Sequence, residues 1–177
     1  LYGKLSAKQV ARLGWEAKSG ESNDDQMTRP IVLGASMFAK NADSIAAAHD
    51  LYQANADKLE TLNATLRPYI LINEMREFGS EELFNKFLTA YQKTSDASYK
   101  TSLLEGITAT KDAALVKKTI AQFENADVIK PQDLRGWYYE LLLNKDGQQA
   151  AWDWIRDEWS WLEKTVGGDM EFATFIT

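Results

Sequence analysis

Residues 127–166, DVIKPQDLRGWYYELLLNKDGQQAAWDWIRDEWSWLEKTV, hold five of the six tryptophans, and their reading decides the fold class. The spacing predicts two helices joined by one tight turn. Pro131 suits a first helical turn, where its missing N–H would have no acceptor anyway. Asp133 close behind it suits the positive end of the helix dipole. Leu134, Trp137, Tyr138, Leu141 and Leu142 fall at i, i+3, i+4, i+7 and i+8, which is one apolar face. Asn144-Lys145-Asp146-Gly147 supplies turn chemistry, with Gly147 expected at positive φ. In the second helix Trp152, Ile155, Trp159 and Leu162 make one stripe, and Trp154 with Trp161 a flanking one. A helix apolar over more than half its circumference packs on two sides.

The rest of the chain has the composition to surround such a pair. Its 177 residues are 45% apolar and 26% charged, enough for a buried core in a single helical domain over residues 1–177. A net charge of −6 argues against nucleic acid as a partner, since phosphate binding needs a clustered basic surface. No apolar run is long enough to span a bilayer, so no membrane partner is expected. With no cysteine there is no disulfide, thiolate metal site or cysteine nucleophile, which fits a reducing, cytoplasmic setting. The chain opens at Leu1 without a signal-peptide core and is expected to be a fragment of something longer.

Upstream, apolar residues recur at helical spacing in one segment after another. Residues 5–15 carry Leu5, Val10 and Leu13. The polar loop KSGESNDD follows, in which Asn23, Asp24 or Asp25 is expected to cap the next helix. That helix is predicted to turn Met27, Ile31, Val32, Ala35 and Phe38 inward, with Pro30 early enough to be tolerated. Asp43 is the expected cap of SIAAAHDLYQAN, and residues 65–78 end at Gly79. Ser80 opens a capping-box start with the stripe Leu83, Phe84, Phe87, Leu88 and Tyr91. Asp96 starts a helix through Tyr99, Leu103, Leu104 and Ile107. Another follows through Leu115, Val116, Ile120 and Phe123, and GGDMEFATFIT closes the chain with a fresh apolar face. No alternating strand pattern occurs. About ten short helices with short joints predict an all-α fold, an αα-superhelix with HEAT- or armadillo-like stacking.

Little catalytic chemistry is visible. His49 is the single histidine, whereas an HExxH zinc site needs two imidazoles one turn apart and a third ligand. Beside Asp50 in AAAHDLY it reads as a packed or surface residue. Glu81/Glu82 and Asp157/Glu158 read as solvated helix faces. The Trp154/Trp161 stripe reads chiefly as core, with a groove for a partner protein as the alternative, in which the chain is a stand-alone helical-repeat adaptor. Arg29, Arg67 and Arg135 sit in or beside apolar faces, where a guanidinium pairs with a carboxylate or a helix end, or grips a ligand carboxylate bidentately.

Several of these stretches carry a resemblance. Leu13-Gly14-Trp15 followed by ESNDDQMTRPIVL resembles the opening of the helical C-terminal domain of zinc aminopeptidases of the aminopeptidase N family. Arg67-Pro68-Tyr69 and SYKTSLLEGITATKDAAL resemble its middle. Lys130-Pro131-Gln132-Asp133 and NKDGQQAAWDW, ending in Trp159, resemble its most recognisable part. The similarity runs from about residue 13 to the end and is strongest to the bacterial members. It implies a non-catalytic superhelical domain that closes over a separate catalytic domain, encloses the active-site chamber and helps to bind peptide substrates. The zinc, the HExxH motif and the GxMEN motif would belong to that catalytic domain of the same polypeptide, and this chain would hold no cofactor. On chemical grounds Arg135, then Arg67 and Arg29, are the expected contacts for a peptide carboxylate.

Overall fold

The structure of the chain, a computed structural model, describes residues 2–168 and Phe175. Ten α-helices succeed one another among these residues: α1 (Tyr2–Leu13), α2 (Asn23–Phe38), α3 (Ala42–Ala54), α4 (Arg67–Phe78), α5 (Glu81–Lys93), α6 (Ala97–Thr108), α7 (Ala113–Ile120), α8 (Leu134–Leu143), α9 (Gln148–Asp157) and α10 (Trp159–Val166). Short 3₁₀ turns at Leu59–Thr61 and Pro131–Asp133 precede α4 and α8. There is no strand among the described residues, so the all-α expectation holds.

Side-chain caps set five of the ten helix starts. The first N–H groups of a helix lack acceptors within it, and a Ser, Asn or Asp oxygen supplies one. Ser80 accepts from Leu83 N, Asp96 from Tyr99 N, and Asp112 from Ala114 N and Leu115 N. Two expected caps are displaced. Ser22, not Asn23, Asp24 or Asp25, caps α2 by accepting from Asp25 N, and Asn41, not Asp43, caps α3 by accepting from Ser44 N. The carboxylates sit in the first turn instead, where the helix dipole favours them.

Successive helices pack as neighbours, α1 on α2, α3 on α4, α5 on α6 and α8 on α9. Next-but-one helices also touch, so that α2, α4, α6 and α8 form one continuous row. A contiguous core runs from Leu33 of α2 through Ile70, Phe87, Leu103 and Trp137 to Leu162 of α10 and Phe175. The remainder of the closing GGDMEFATFIT segment after Gly168 lies outside the described residues.

α2 departs from its predicted face. Arg29, Leu33, Ser36 and Met37 are buried, while Met27, Ile31 and Phe38 are 71%, 64% and 78% exposed. Polar pairing orients this helix: Arg29 meets Glu21, whose side chain is also buried, and Ser36 Oγ lies 2.8 Å from Ser44 Oγ on α3. Pro30 stands inside the helix rather than in its first turn and removes one ladder hydrogen bond there.

The tryptophan-rich stretch forms three helices, because the second predicted one breaks at Glu158. The buried stripe also differs from the predicted one. Ala151, Trp154 and Ile155 face the core from α9 and Leu162 and Val166 from α10, while Trp152 is half exposed. Trp154 packs edge-on against Phe123, ring centroids 4.9 Å apart, and its indole donates to Glu124 at 3.2 Å. Trp161 sits beside it at 6.2 Å, partly buried, so the Trp154/Trp161 stripe is core and not a free surface. Gly147 has a φ of −113° rather than a positive value. Its missing Cβ matters because that atom would lie 2.5 Å from Leu141 Cδ1.

Asn144, at the end of α8, carries the turn. Its amide donates to the carbonyls of Thr108 and Thr110 at 2.8 and 2.7 Å, and its Oδ1 accepts from Asp146 N and from Arg76. Trp137 is fully buried, donates to Tyr91 Oη at 3.0 Å and stands edge-on to that ring at 4.9 Å. Trp137→Ala is expected to cost roughly 3–5 kcal/mol through the cavity it leaves. Asn144→Ala is expected to cost roughly 2–4 kcal/mol by orphaning two carbonyls. Urea titrations of the two variants against the parent chain measure both.

Candidate functional site

A cavity of about 730 Å³ lies along the row of next-but-one helices. Its lining comes from the last turns of four helices, with Met37 and Phe38 of α2, Arg76 and Glu77 of α4, Glu105 and Thr108 of α6, and Glu140 and Leu143 of α8, and from Gly34 and Ile72 further back on α2 and α4. Tyr69 of α4 completes the apolar wall. It reaches there because residue 34 is glycine, since a Cβ at that position would sit 2.5 Å from Tyr69 Cε1. A volume of this size, with apolar walls and a few polar groups, matches the range of small-ligand sites.

Four helix C-termini therefore converge on one space. Each brings carbonyls without intrahelical partners and the negative end of a helix dipole. Some of that negative charge is met internally. Arg76 donates to Ala109 O at 3.1 Å, to Asn144 Oδ1 at 3.2 Å and to Asp146 Oδ2 at 3.3 Å. Glu77 is bound by Lys40 and by Lys111, and although burial pushes its carboxyl up, the two ammonium groups outweigh that and hold it below the usual range.

Glu105 and Glu140 are treated differently. Both are half-buried, and neither carboxylate has a hydrogen bond or ion pair among the described residues. Burial pushes both carboxyls above their ordinary range, and for Glu105 the facing charge of Glu140 adds to the rise. No cation acts on either group strongly enough to oppose this. The sequence reading missed this pair: the two residues lie thirty-five positions apart, on helices whose contact only the tertiary structure reveals.

The three arginines singled out from the sequence are not brought together. Arg29 is 4% exposed, pairs with Glu21 and donates to Leu13 O at 3.4 Å. Arg67 is 2% exposed and bonds Glu60 O, Ser98 Oγ and Ser102 Oγ at 2.9, 3.0 and 3.3 Å, with Tyr99 stacked 5.1 Å away. Arg135, near the start of α8, is exposed. His49 is a packed residue: its Nδ1 lies 2.8 Å from the buried Glu74 and its ring stacks on Phe78 at 4.0 Å. No group of three or more metal-ligating side chains occurs among the described residues. No helix among them is long and apolar enough to cross a membrane.

Comparison with known proteins places the chain in a family. Residues 2–177 match the model of the ERAP1-like C-terminal domain. The chain is 60% identical over its whole length to Aminopeptidase N of Lactobacillus helveticus and 58% to that of Lactobacillus delbrueckii subsp. lactis. It spans 21% of the length of each of these relatives. Over 91% of its length it is 29% identical to Glutamyl aminopeptidase of Rattus norvegicus, of which it spans 17%. The chain belongs to the ERAP1-like C-terminal domain family.

A carboxyl whose native value is raised contributes stability that is fully present below its unfolded value, near 4.5, and is lost as pH rises through the native value. Glu105→Gln and Glu140→Gln are therefore expected to unfold at or above the parent temperature at pH 7. Both should also flatten the decline in stability above pH 4.5. Buried Glu74, raised chiefly by burial and partly offset by His49 and Lys86, leaves a residual slope of the same sign. Thermal melts from pH 4 to 8 check this; a lower melting temperature at pH 7 would mean that the two carboxylates hold the fold together.

Proposed function

We propose that this member of the ERAP1-like C-terminal domain family is the non-catalytic closing domain of a cytoplasmic zinc aminopeptidase. In this reading it packs on the catalytic domain of the same polypeptide, encloses the chamber in a HEAT-like superhelix and helps to hold the peptide. The observation that carries it is 60% identity over the chain's whole length to Aminopeptidase N, of which the chain spans 21%. Zinc and the bond-breaking step belong, on this reading, to the remaining four-fifths.

Two structural features support it. Met27, Ile31 and Phe38 of α2 form an outward apolar stripe at i, i+4 and i+11, of the kind that marks a contact surface with another protein body. The cavity along α2, α4, α6 and α8 offers side chains from four helices to one extended ligand. Among the three arginines Arg135 is the first candidate to meet a peptide carboxylate, because it is exposed. Arg67 and Arg29 would contribute by ordering the segments they bond.

Complementation tests the reading. The chain is mixed with the remaining part of Lactobacillus helveticus Aminopeptidase N, and hydrolysis of an aminoacyl-anilide is followed. The expected result is association with gain of activity, and no hydrolysis by the chain alone. Ile31→Asp on the exposed stripe is expected to weaken the association about tenfold, the cost of losing one buried aliphatic side chain, without changing the chain's melting temperature. Turnover by the chain alone, with one bound zinc, would overturn the reading.

A further inference from the structure

We infer that the cavity bounded by the ends of α2, α4, α6 and α8 is a subsite for the side chain of an arginine or lysine within a bound peptide, with Glu105 and Glu140 as its anionic receptors. The inference rests on the reading of this row of helices as peptide-facing and names the residue class that it selects.

Three independent observations point to a cation. Glu105 of α6 and Glu140 of α8 line the same cavity, and neither carboxylate has a hydrogen bond or ion pair among the described residues. Four helix C-termini converge on the same space and add their negative dipole ends. Two of the three basic groups of the lining are paired, Arg76 with Ala109, Asn144 and Asp146 and Lys40 with Glu77, while the third, Lys145, is exposed to solvent. Burial raises the free energy of both carboxylates, and an incoming cation removes that cost.

The walls choose among cations. Two carboxylates fall short of the ligand count that a metal ion needs, and no group of three occurs among the described residues. Tyr69, Ile72 and Leu143 instead form an apolar wall, suited to the methylene stem of a long basic side chain with its charged head on the carboxylates. The face of Tyr69 can also take a guanidinium. At about 730 Å³ the space holds such a side chain and part of the adjoining backbone.

The test uses two peptides that differ only in charge, acetyl-Ala-Ala-Arg-Ala-amide and its citrulline counterpart, both lacking a free α-amine. Calorimetric titration of the purified full chain is expected to show the arginine peptide binding at least about tenfold more tightly, the worth of a charge-assisted bidentate contact. In E105Q/E140Q the two peptides should bind alike, while circular dichroism and the melting temperature show that the variant is folded. Leu143→Ala, at an exposed position, should weaken both peptides together and leave their ratio unchanged. Equal affinities in the parent chain, a preference that survives in E105Q/E140Q, or no binding of either peptide at millimolar concentration each overturn the inference. Failure of the complementation experiment with the charge preference intact would remove the aminopeptidase reading and leave the basic-side-chain subsite standing. Complementation without the preference would do the reverse.

Discussion

The end of α6 is tied to the turn between α8 and α9 by one asparagine. Asn144 gives both amide hydrogens to carbonyls at the end of α6 and just beyond it, and takes Arg76 of α4 on its oxygen. Three helices of the row are thereby fixed at their C-terminal ends by groups that would cost free energy if left unpaired. The register of α4, α6 and α8 follows from this, and so does the meeting of their ends in a single cavity. Gly34 extends the row to α2 by letting Tyr69 lie directly against that helix.

A row of parallel helix ends has an electrostatic consequence. Each C-terminus is a site of partial negative charge, and the chain answers with Arg76, Lys40 and Lys111. It does not answer Glu105 or Glu140, and their burial is unfavourable for the isolated domain. Local conflict of this kind is what a binding surface carries, since a group kept unsatisfied in the free protein is available to a ligand. On α2 the apolar Ile31 and Phe38 are largely exposed while Arg29 and Ser36 are buried.

The distinction between positioning and contact resolves the arginines. Arg67 and Arg29 were conspicuous in the sequence because they stand among apolar residues, and the structure supplies the reason: each pairs with interior acceptors, which burial requires of a guanidinium. Arg135 shares the pattern but points to water. Periodicity marked all three alike, because a buried and an exposed arginine differ only in what lies opposite. For the same reason it placed Trp154 on a flanking stripe. In the structure Trp154, rather than Trp152, meets Phe123.

By itself the sequence determined the all-α class, the approximate number of helices, the Ser80 cap and the Asp96 start, and the core positions in α5, α6 and α8. Local spacing and capping chemistry depend on residues within one or two turns of each other, so one chain read in order contains them. It also carried the family, through the ordered motifs around Arg29, Arg67 and Trp154. The inward face of α2, the break in the tryptophan-rich pair and the Glu105–Glu140 pair were decided only in three dimensions. Each depends on a partner many residues away, Glu105 and Glu140 across the contact of α6 with α8, and no local pattern encodes which helix a face will meet.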